Sequence, residues 1–328
     1  MTERRNLSVE EQKRLERLER TRKNRRGRRN PAVIPDRLAR TAAFAPRRNK
    51  LITDSTFHRI YEVPGYSVIE VKGRELGSQH RDALIAVFRL ERKKIYFEDV
   101  ACKDPLRRYR TYYEANTTWR ELLIKMGRTQ HVNNLLTMLN LFEEILQVSL
   151  IIHEGRCLAD FDKIKTTRRG LLPDVAGALT SVIDGIEWEG AKLDSRVKVR
   201  FGPRVLEMVE QANLVSINAD VQFRLKSDYA KSFWPFIDSQ PNYTYVGDEL
   251  LAQLAGLDFA GMTSAQRAQF RKDCRQAFTD MQRAEGLKDW QEEVIGQGRQ
   301  KTRRYRYTHA VPRQMELLLP SEPGQTPA

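Results

Sequence analysis

Thr263-Ser-Ala-Gln-Arg-Ala-Gln-Phe-Arg-Lys-Asp-Cys-Arg-Gln-Ala-Phe-Thr-Asp-Met-Gln-Arg-Ala284 decides how the second half of this chain folds. Thr263 followed three residues later by Gln266 forms a capping box, which opens a helix. Gly286, just past Ala284, ends it. On a helical wheel Phe270, Cys274, Ala277, Phe278 and Met281 fall on one face and lock the helix into a core. Gln269, Arg271, Lys272, Arg275, Gln276, Thr279 and Arg283 spread over the other. Arg, Lys and Gln carry the donors that read guanine and adenine edges in a major groove. A solvated charged face is the other reading, because most surface helices have one.

What flanks this helix favours DNA. Before it, Gly247 to Leu254 reads as a short helix stopped by Gly256. After it, Asp289 to Ile295 and Thr302 to Thr308 read as strands joined by Gly296-Gln-Gly298-Arg-Gln-Lys301, a β-hairpin. Arg299, Lys301, Arg303, Arg304 and Arg306 crowd that hairpin, with Tyr305 and Tyr307 between them. Cations there suit phosphate contact, which gives affinity and orientation, not base choice. The alternative is protection of an edge strand by positive charge. Short helix, turn, long helix and hairpin together are a helix-turn-helix with a wing.

The same order recurs upstream without a sequence repeat. Thr118-Trp-Arg-Glu121 caps a short helix to Met126, and Gly127 stops it. A second helix runs from after Gln130 to about Gln147, with Leu135, Leu139, Phe142 and Leu146 as its expected buried stripe. Val148 to His153 reads as a strand. The outer face of the second helix offers Asn133, Asn134, Thr137 and Asn140, but also Glu143 and Glu144, with only Lys125 and Arg128 nearby. Arg128, Asn133 and Thr137 are its candidate DNA contacts, and backbone or protein contact is the competing use of this face. Further elements are a β stretch at Tyr66 to Val71, a helix at Ser78 to Leu90, strands at Ile95 to Val100 and Arg196 to Phe201, and helices at Pro203 to about Ala212 and Lys226 to Ser239.

The expected fold class is α+β and helix-rich, with two tandem winged-helix domains behind a basic arm. A chain of 328 residues is long enough for two domains with real cores. The net charge of +14 calls for a polyanionic partner. Most of that charge is local: residues 1–50 hold 17 Lys and Arg against 6 Asp and Glu. This composition predicts a flexible arm over 1–50. The first domain is expected over 51–213, with 156–184 as an enlarged wing or loop, the second over 214–312, and a flexible tail over 313–328.

Other chemistries find little support. Cys102, Cys157 and Cys274 are far apart, so neither zinc nor a disulfide framework is indicated, and a reducing cytoplasm fits. No apolar run approaches 18 residues, which argues against a membrane span. The five His form no His-x-His pair and no GxxxxGK[ST] loop occurs, so metal-dependent nicking and ATP hydrolysis are not expected. Pro173-Asp174 with Glu187, Glu189 and Lys192 faintly resembles a nuclease signature, but the last spacing is one residue too long. No catalytic residue, metal or cofactor is expected.

Ser216-Ile-Asn, Val221-Gln-Phe-Arg-Leu, the Tyr229-to-Ile237 helix, Phe270-Arg-Lys-Asp-Cys and Lys301-Thr-Arg-Arg-Tyr-Arg-Tyr fall in an order that resembles the iteron-binding plasmid replication initiators of the RepE and TrfA kind. Gly73-Arg-Glu-Leu before an apolar helix resembles the start of their first winged-helix domain. The resemblance covers roughly residues 65 to 312. It implies binding to direct repeats (iterons) at a plasmid origin, opening of neighbouring AT-rich DNA, and recruitment of the host initiator and replicative helicase. It also implies a monomer–dimer equilibrium tied to autoregulation and copy control. Carried over by position, the reader helix is Gln266 to Arg283 and the wing is Arg299 to Arg306. The alternatives are a transcriptional repressor using the same domains and, from another class, a metal-dependent nuclease.

Overall fold

The structure, a computed structural model, describes residues 31–63, 67–98, 109–154, 177–210, 214–240, 243–296 and 302–310. In chain order the elements are β1 (Ala32–Pro35), α1 (Asp36–Arg40), β2 (Phe44–Ala45), β3 (Phe57–Val63), β4 (Ser67–Gly73), β5 (Leu76–Gly77) and α2 (Ser78–Phe88). Then come β6 (Lys93–Glu98), β7 (Tyr109–Thr118), α3 (Trp119–Lys125), α4 (Val132–Leu146), β8 (Ser149–Glu154), β9 (Gly177–Thr180), β10 (Ile183–Trp188), β11 (Arg196–Phe201) and α5 (Pro203–Glu210). The last third holds β12 (Leu214–Ile217), α6 (Ala219–Arg224), α7 (Asp228–Ser239), β13 (Tyr245–Gly247), α8 (Asp248–Leu254), α9 (Ser264–Arg283), β14 (Leu287–Ile295) and β15 (Thr302–His309). The class is mixed helix and sheet, as the sequence implies.

Two hydrophobic cores result. The first gathers residues from Ala32 to Ala219 between the helices and two four-stranded sheets, ordered β3-β4-β8-β9 and β10-β11-β7-β6. The second gathers Val221 to Tyr307 around α7, α8, α9 and the sheet β13-β15-β14. They part within α6. β12 therefore belongs to the first core, because it pairs antiparallel with β1, Ala32 opposite Ile217. The expected division at 213/214 falls several residues too early.

The largest correction concerns the arm. Residues 1–30 lie outside the described residues, but the arm expected through residue 50 is a working part of the fold from Ala32 onward. Val33, Ile34, Leu38 and Ala42 to Ala45 are buried, and β2 pairs parallel with β5. Averaging charge over fifty residues hides two apolar runs, Ala32-Val-Ile-Pro35 and Thr41-Ala-Ala-Phe-Ala45. Of the two readings of 156–184, an enlarged wing or a loop, the end of the segment is sheet: β9 pairs antiparallel with β8, and β10 begins at Ile183. The segment's earlier part is outside the described residues. The α4 stripe is also shifted: Leu135, Met138, Leu141, Phe142 and Ile145 are buried, whereas Leu146 is exposed and Leu139 is only partly covered.

The Gly73-Arg-Glu-Leu stretch has a steric reason for its glycine. Gly73 sits at φ +112°, and a Cβ there would lie 2.2 Å from the Gln147 carbonyl oxygen. Only glycine allows the end of β4 to pass so close to the chain leaving α4. Two residues on, buried Glu75 accepts from Ile52 N at 3.0 Å and from the Arg47 guanidinium. That pairing anchors the start of α2.

Candidate nucleic-acid interface

α9 forms as its cap predicts. Thr263 Oγ1 accepts from Gln266 N at 3.3 Å, and Gln266 Oε1 accepts from Thr263 N at 2.8 Å. Phe270, Cys274, Ala277, Phe278 and Met281 are all buried. Phe278 stacks on Tyr305 of the hairpin, ring centroids 4.9 Å apart and 9° from parallel, with Trp290 and Tyr307 at 5.6 and 6.0 Å. Tyr305 and Tyr307 are therefore core residues that weld the hairpin to the helix, not aromatics presented among cations. Strand alternation separates them from Arg304 and Arg306.

Lys272, Gln276 and Arg283 stand exposed on the outer face of α9, and Gln269 is exposed with its amide donating to Asp273 at 2.9 Å. The Thr279 hydroxyl donates to the Arg275 carbonyl at 2.9 Å, and the residue is half-buried. Arg271 differs. Its Nε donates to the buried Asp248 at 2.7 Å, and its guanidinium lies 5.7 Å from the Phe259 ring centroid. Arg271 lies about 100° from Phe270 on the wheel, on the flank beside the core. Bonded to the first turn of α8, it ties the two helices of the turn together and does not stand on the outer face.

The cations of the hairpin are matched by acids on β14. Glu292 accepts from Arg275 Nη1 at 3.1 Å and from Arg303 Nη1 at 2.5 Å, joining α9 to both strands on the helix side of the sheet. Glu293 accepts from Arg304 Nε at 2.6 Å, with Arg306 at 3.6 Å, on the opposite side. Arg304 also lies over the Tyr245 ring at 4.9 Å. Arg299 and Lys301, the tip cations named from sequence, lie outside the described residues. Glu292 and Glu293 are acidic partners that the sequence pattern of cations alone does not reveal. Their alternation with Arg303 to Arg306 across a hairpin register (Glu292 opposite Tyr305, Glu293 opposite Arg304) is the signal that could have found them.

These pairs set a pH dependence. Partial burial pushes the Glu292 carboxyl up, but hydrogen bonds from Arg303 and Arg275 outweigh it and leave the group below its ordinary value. Glu293 is lowered chiefly by its hydrogen bond from Arg304. A carboxylate with a depressed folded pKa stabilises the fold above its ordinary value of 4.5 and loses that contribution as pH falls through the lowered value. We therefore expect the melting temperature of Glu292→Gln to lie below that of the unaltered protein at about pH 7, and the gap to close as pH falls through the lowered value of Glu292. A gap that stays constant with pH would mean these bonds add nothing to stability.

The upstream helix-turn-helix is equally well made. Thr118 Oγ1 accepts from Glu121 N, Gly127 takes φ +67° in the turn, and His131 Nδ1 accepts from Asn133 N at 3.1 Å. Asn134 donates to the Thr129 carbonyl and hydroxyl at 2.9 and 2.8 Å, so its amide holds the turn. Asn133 and Asn140 are exposed, Thr137 and Arg128 half-buried. Arg120 makes a two-pronged pair with Asp194 at 2.6 and 2.9 Å. Of the faint nuclease pattern, Pro173 and Asp174 are outside the described residues, and Glu187 accepts from Arg200 at 3.0 Å.

No family model matches the chain, and no curated protein is similar to it in sequence. Solved structures do match. Domains 2 and 3 of RctB align over 84% of this chain and 99% of that chain, with 11% identity and a TM-score of 0.51. The Pi initiator protein in complex with iteron DNA aligns over 86% of this chain and 98% of that chain, with 10% identity and a TM-score of 0.50. The likeness to these two structures is one of fold, and it extends over most of this chain. Among the described residues, no helix is long and apolar enough to cross a membrane.

Proposed function

We propose that this protein binds duplex DNA sequence-specifically at the direct repeats of a plasmid replication origin and initiates replication by binding alone, without an enzymatic step. Both helix-turn-helix units act as winged helices. The observation that carries this reading is α9: an outer face of Lys272, Gln276, Arg283 and Gln269, flanked by Arg275 and a cationic hairpin, in a fold similar to that of an initiator seen on iteron DNA. Lys272 and Arg275 suit guanine O6 and N7, and Gln269 or Gln276 suits adenine. Arg303, Arg304 and Arg306, with Arg299 and Lys301 at the tip, contact phosphate. Arg271 supports the reader without touching bases. Host initiator and helicase recruitment, a monomer–dimer equilibrium and a cytoplasmic setting accompany this role.

The test is a nuclease footprint on the DNA flanking the gene. Protection of tandem direct repeats spaced by about two helical turns fits the proposal. A lone protected inverted repeat would instead make the protein a repressor. A second measurement checks the cations. Replacing Arg304 and Arg306 together by alanine should lower the slope of log affinity against log salt by about 2, because each cation neutralises one phosphate. An unchanged slope would remove both residues from the interface.

A further inference from the structure

α4, Val132-Asn-Asn-Leu-Leu-Thr-Met-Leu-Asn-Leu-Phe-Glu-Glu-Ile-Leu146, contains no Lys or Arg, yet two aliphatic side chains in its first turns stand in solvent. Val132 is 48% exposed and Leu136 47%. With Val132 at zero on a wheel of about 100° per residue, Leu136, Asn140, Asn133 and Thr137 follow at about 40°, 80°, 100° and 140°. One continuous sector therefore mixes short apolar groups with free amides. Asn134, which is tied to Thr129, takes no part in it.

The aliphatic stripe is too short to seat a protein helix. Helix-in-groove docking uses anchors at i, i+3 or i+4 and i+7. Counted from Val132 these positions are Leu136 and Leu139, but Leu139 packs against the first core, so only two anchors stand free, and the outward positions that follow are Asn140 and Glu143. The sector does match one pattern of base edges. Asn pairs with adenine N6 and N7, and apolar groups, a Thr methyl among them, meet the C5-methyl of thymine. Guanine is read mainly by bidentate Arg or Lys, which this helix lacks. Glu143 and Glu144 lie on the last turns, and Glu144 is engaged by Arg74 at 3.0 Å and His80 at 2.5 Å. That leaves the charge of Glu143, which disfavours phosphate at that end, so the N-terminal half is the part that can approach DNA. That is the half which touches base edges in helix-turn-helix proteins.

We infer that α4 is a reader of A·T base pairs, with Asn133 and Asn140 on adenine and Val132 and Leu136 against thymine methyl groups. The inference rests on the DNA-binding reading above. It divides the site chemically: α9 takes the guanine-containing part and α4 an A·T-rich part.

The test starts with duplexes selected by the full chain from a random pool. Thymine is then replaced by uracil, which deletes only the C5-methyl, in one half of the selected site at a time. We expect one half to be A·T-rich and to lose about fourfold in affinity for each methyl that meets the helix, the scale of one buried methylene. In the Val132→Ala/Leu136→Ala variant that penalty should vanish, while affinity for random duplex and the melting temperature stay unchanged. A uracil penalty that persists in the variant, or a selected site rich in G·C throughout, overturns the inference. So does a variant that binds like the unaltered chain but changes its sedimentation behaviour, because the face then holds a second protein chain. Failure to enrich any sequence would overturn the DNA-binding reading itself, a separate result.

Discussion

Asp82→Ala is expected to destabilise the protein by about 3–5 kcal/mol, because it strands a buried ammonium group. Asp82 on α2 belongs to the first core and is 4% exposed; Lys231 on α7 belongs to the second and is 5% exposed. The Lys231 ammonium bonds Asp82 Oδ2, and Gln222, fully buried, donates to Oδ1 at 3.0 Å. Beside this pair, buried Arg81 donates to the Thr41 carbonyl at 2.7 Å and to the Ser232 carbonyl at 2.8 Å. Burial brings the Arg81 guanidinium down to about 10, with Asp82 acting in the opposite sense, so it stays charged at neutral pH. The polar cluster is a joint between the two units, and each charge in it has a partner across that joint.

The balance of terms makes the prediction sharp. A buried ion pair adds little net stability over an apolar pair of the same shape, since desolvation offsets attraction. Breaking one partner is different, because the remaining charge keeps its desolvation cost and loses its anion. Asp82→Leu with Lys231→Met should therefore recover most of what Asp82→Ala loses. Urea unfolding of the three proteins, read as the shift in midpoint at constant slope, decides it. A loss below about 1 kcal/mol for Asp82→Ala would mean that water reaches Lys231 and the joint is open in solution. If the double variant is stable yet binds tandem repeats less selectively, the pair fixes the angle between the units.

Residues that obey a local rule are legible in the sequence, and residues defined by a distant partner are not. Thr263 with Gln266, Thr118 and Gly127 act within one turn of the chain, and each stands where the spacing predicts. Val197, Val199 and Phe201 alternate on β11 and are all buried. β7 carries a similar alternation in Ala115 and Thr117, but Asn116, Glu114 and the surrounding Thr and Tyr blur it beyond recognition. β1 escapes for another reason: its partner, β12, lies about 180 residues away, and only pairing makes sense of Ala32-Val-Ile-Pro35 at the end of an Arg-rich stretch. The candidate site shows the same contrast. The outer face of α9 follows from periodicity, whereas the Asp248 that draws Arg271 inward is 23 residues away and announces itself by no motif.

Glu292 supplies the last test, because it ties the proposed reader to the wing. Arg275→Ala should cost about 1–3 kcal/mol on the selected site and relax base choice, while affinity for random duplex falls much less. Glu292→Gln removes no donor that could face DNA. It frees Arg275 and Arg303 from a shared anion, so affinity for random duplex should rise as a negative charge leaves the interface. Discrimination should nevertheless fall, because Arg275 loses the bond that holds its guanidinium in one orientation and must order itself on binding. Arg275→Ala in the Glu292→Gln background should then cost less than in the unaltered protein, with a coupling of roughly 0.5–3 kcal/mol on the selected site and none on random duplex. Strictly additive losses would show that Glu292 leaves Arg275 unaffected. Equal weakening of selected and random DNA by Arg275→Ala would move the base-reading role along α9 to Lys272 and Gln276, which face outward without an acid to hold them.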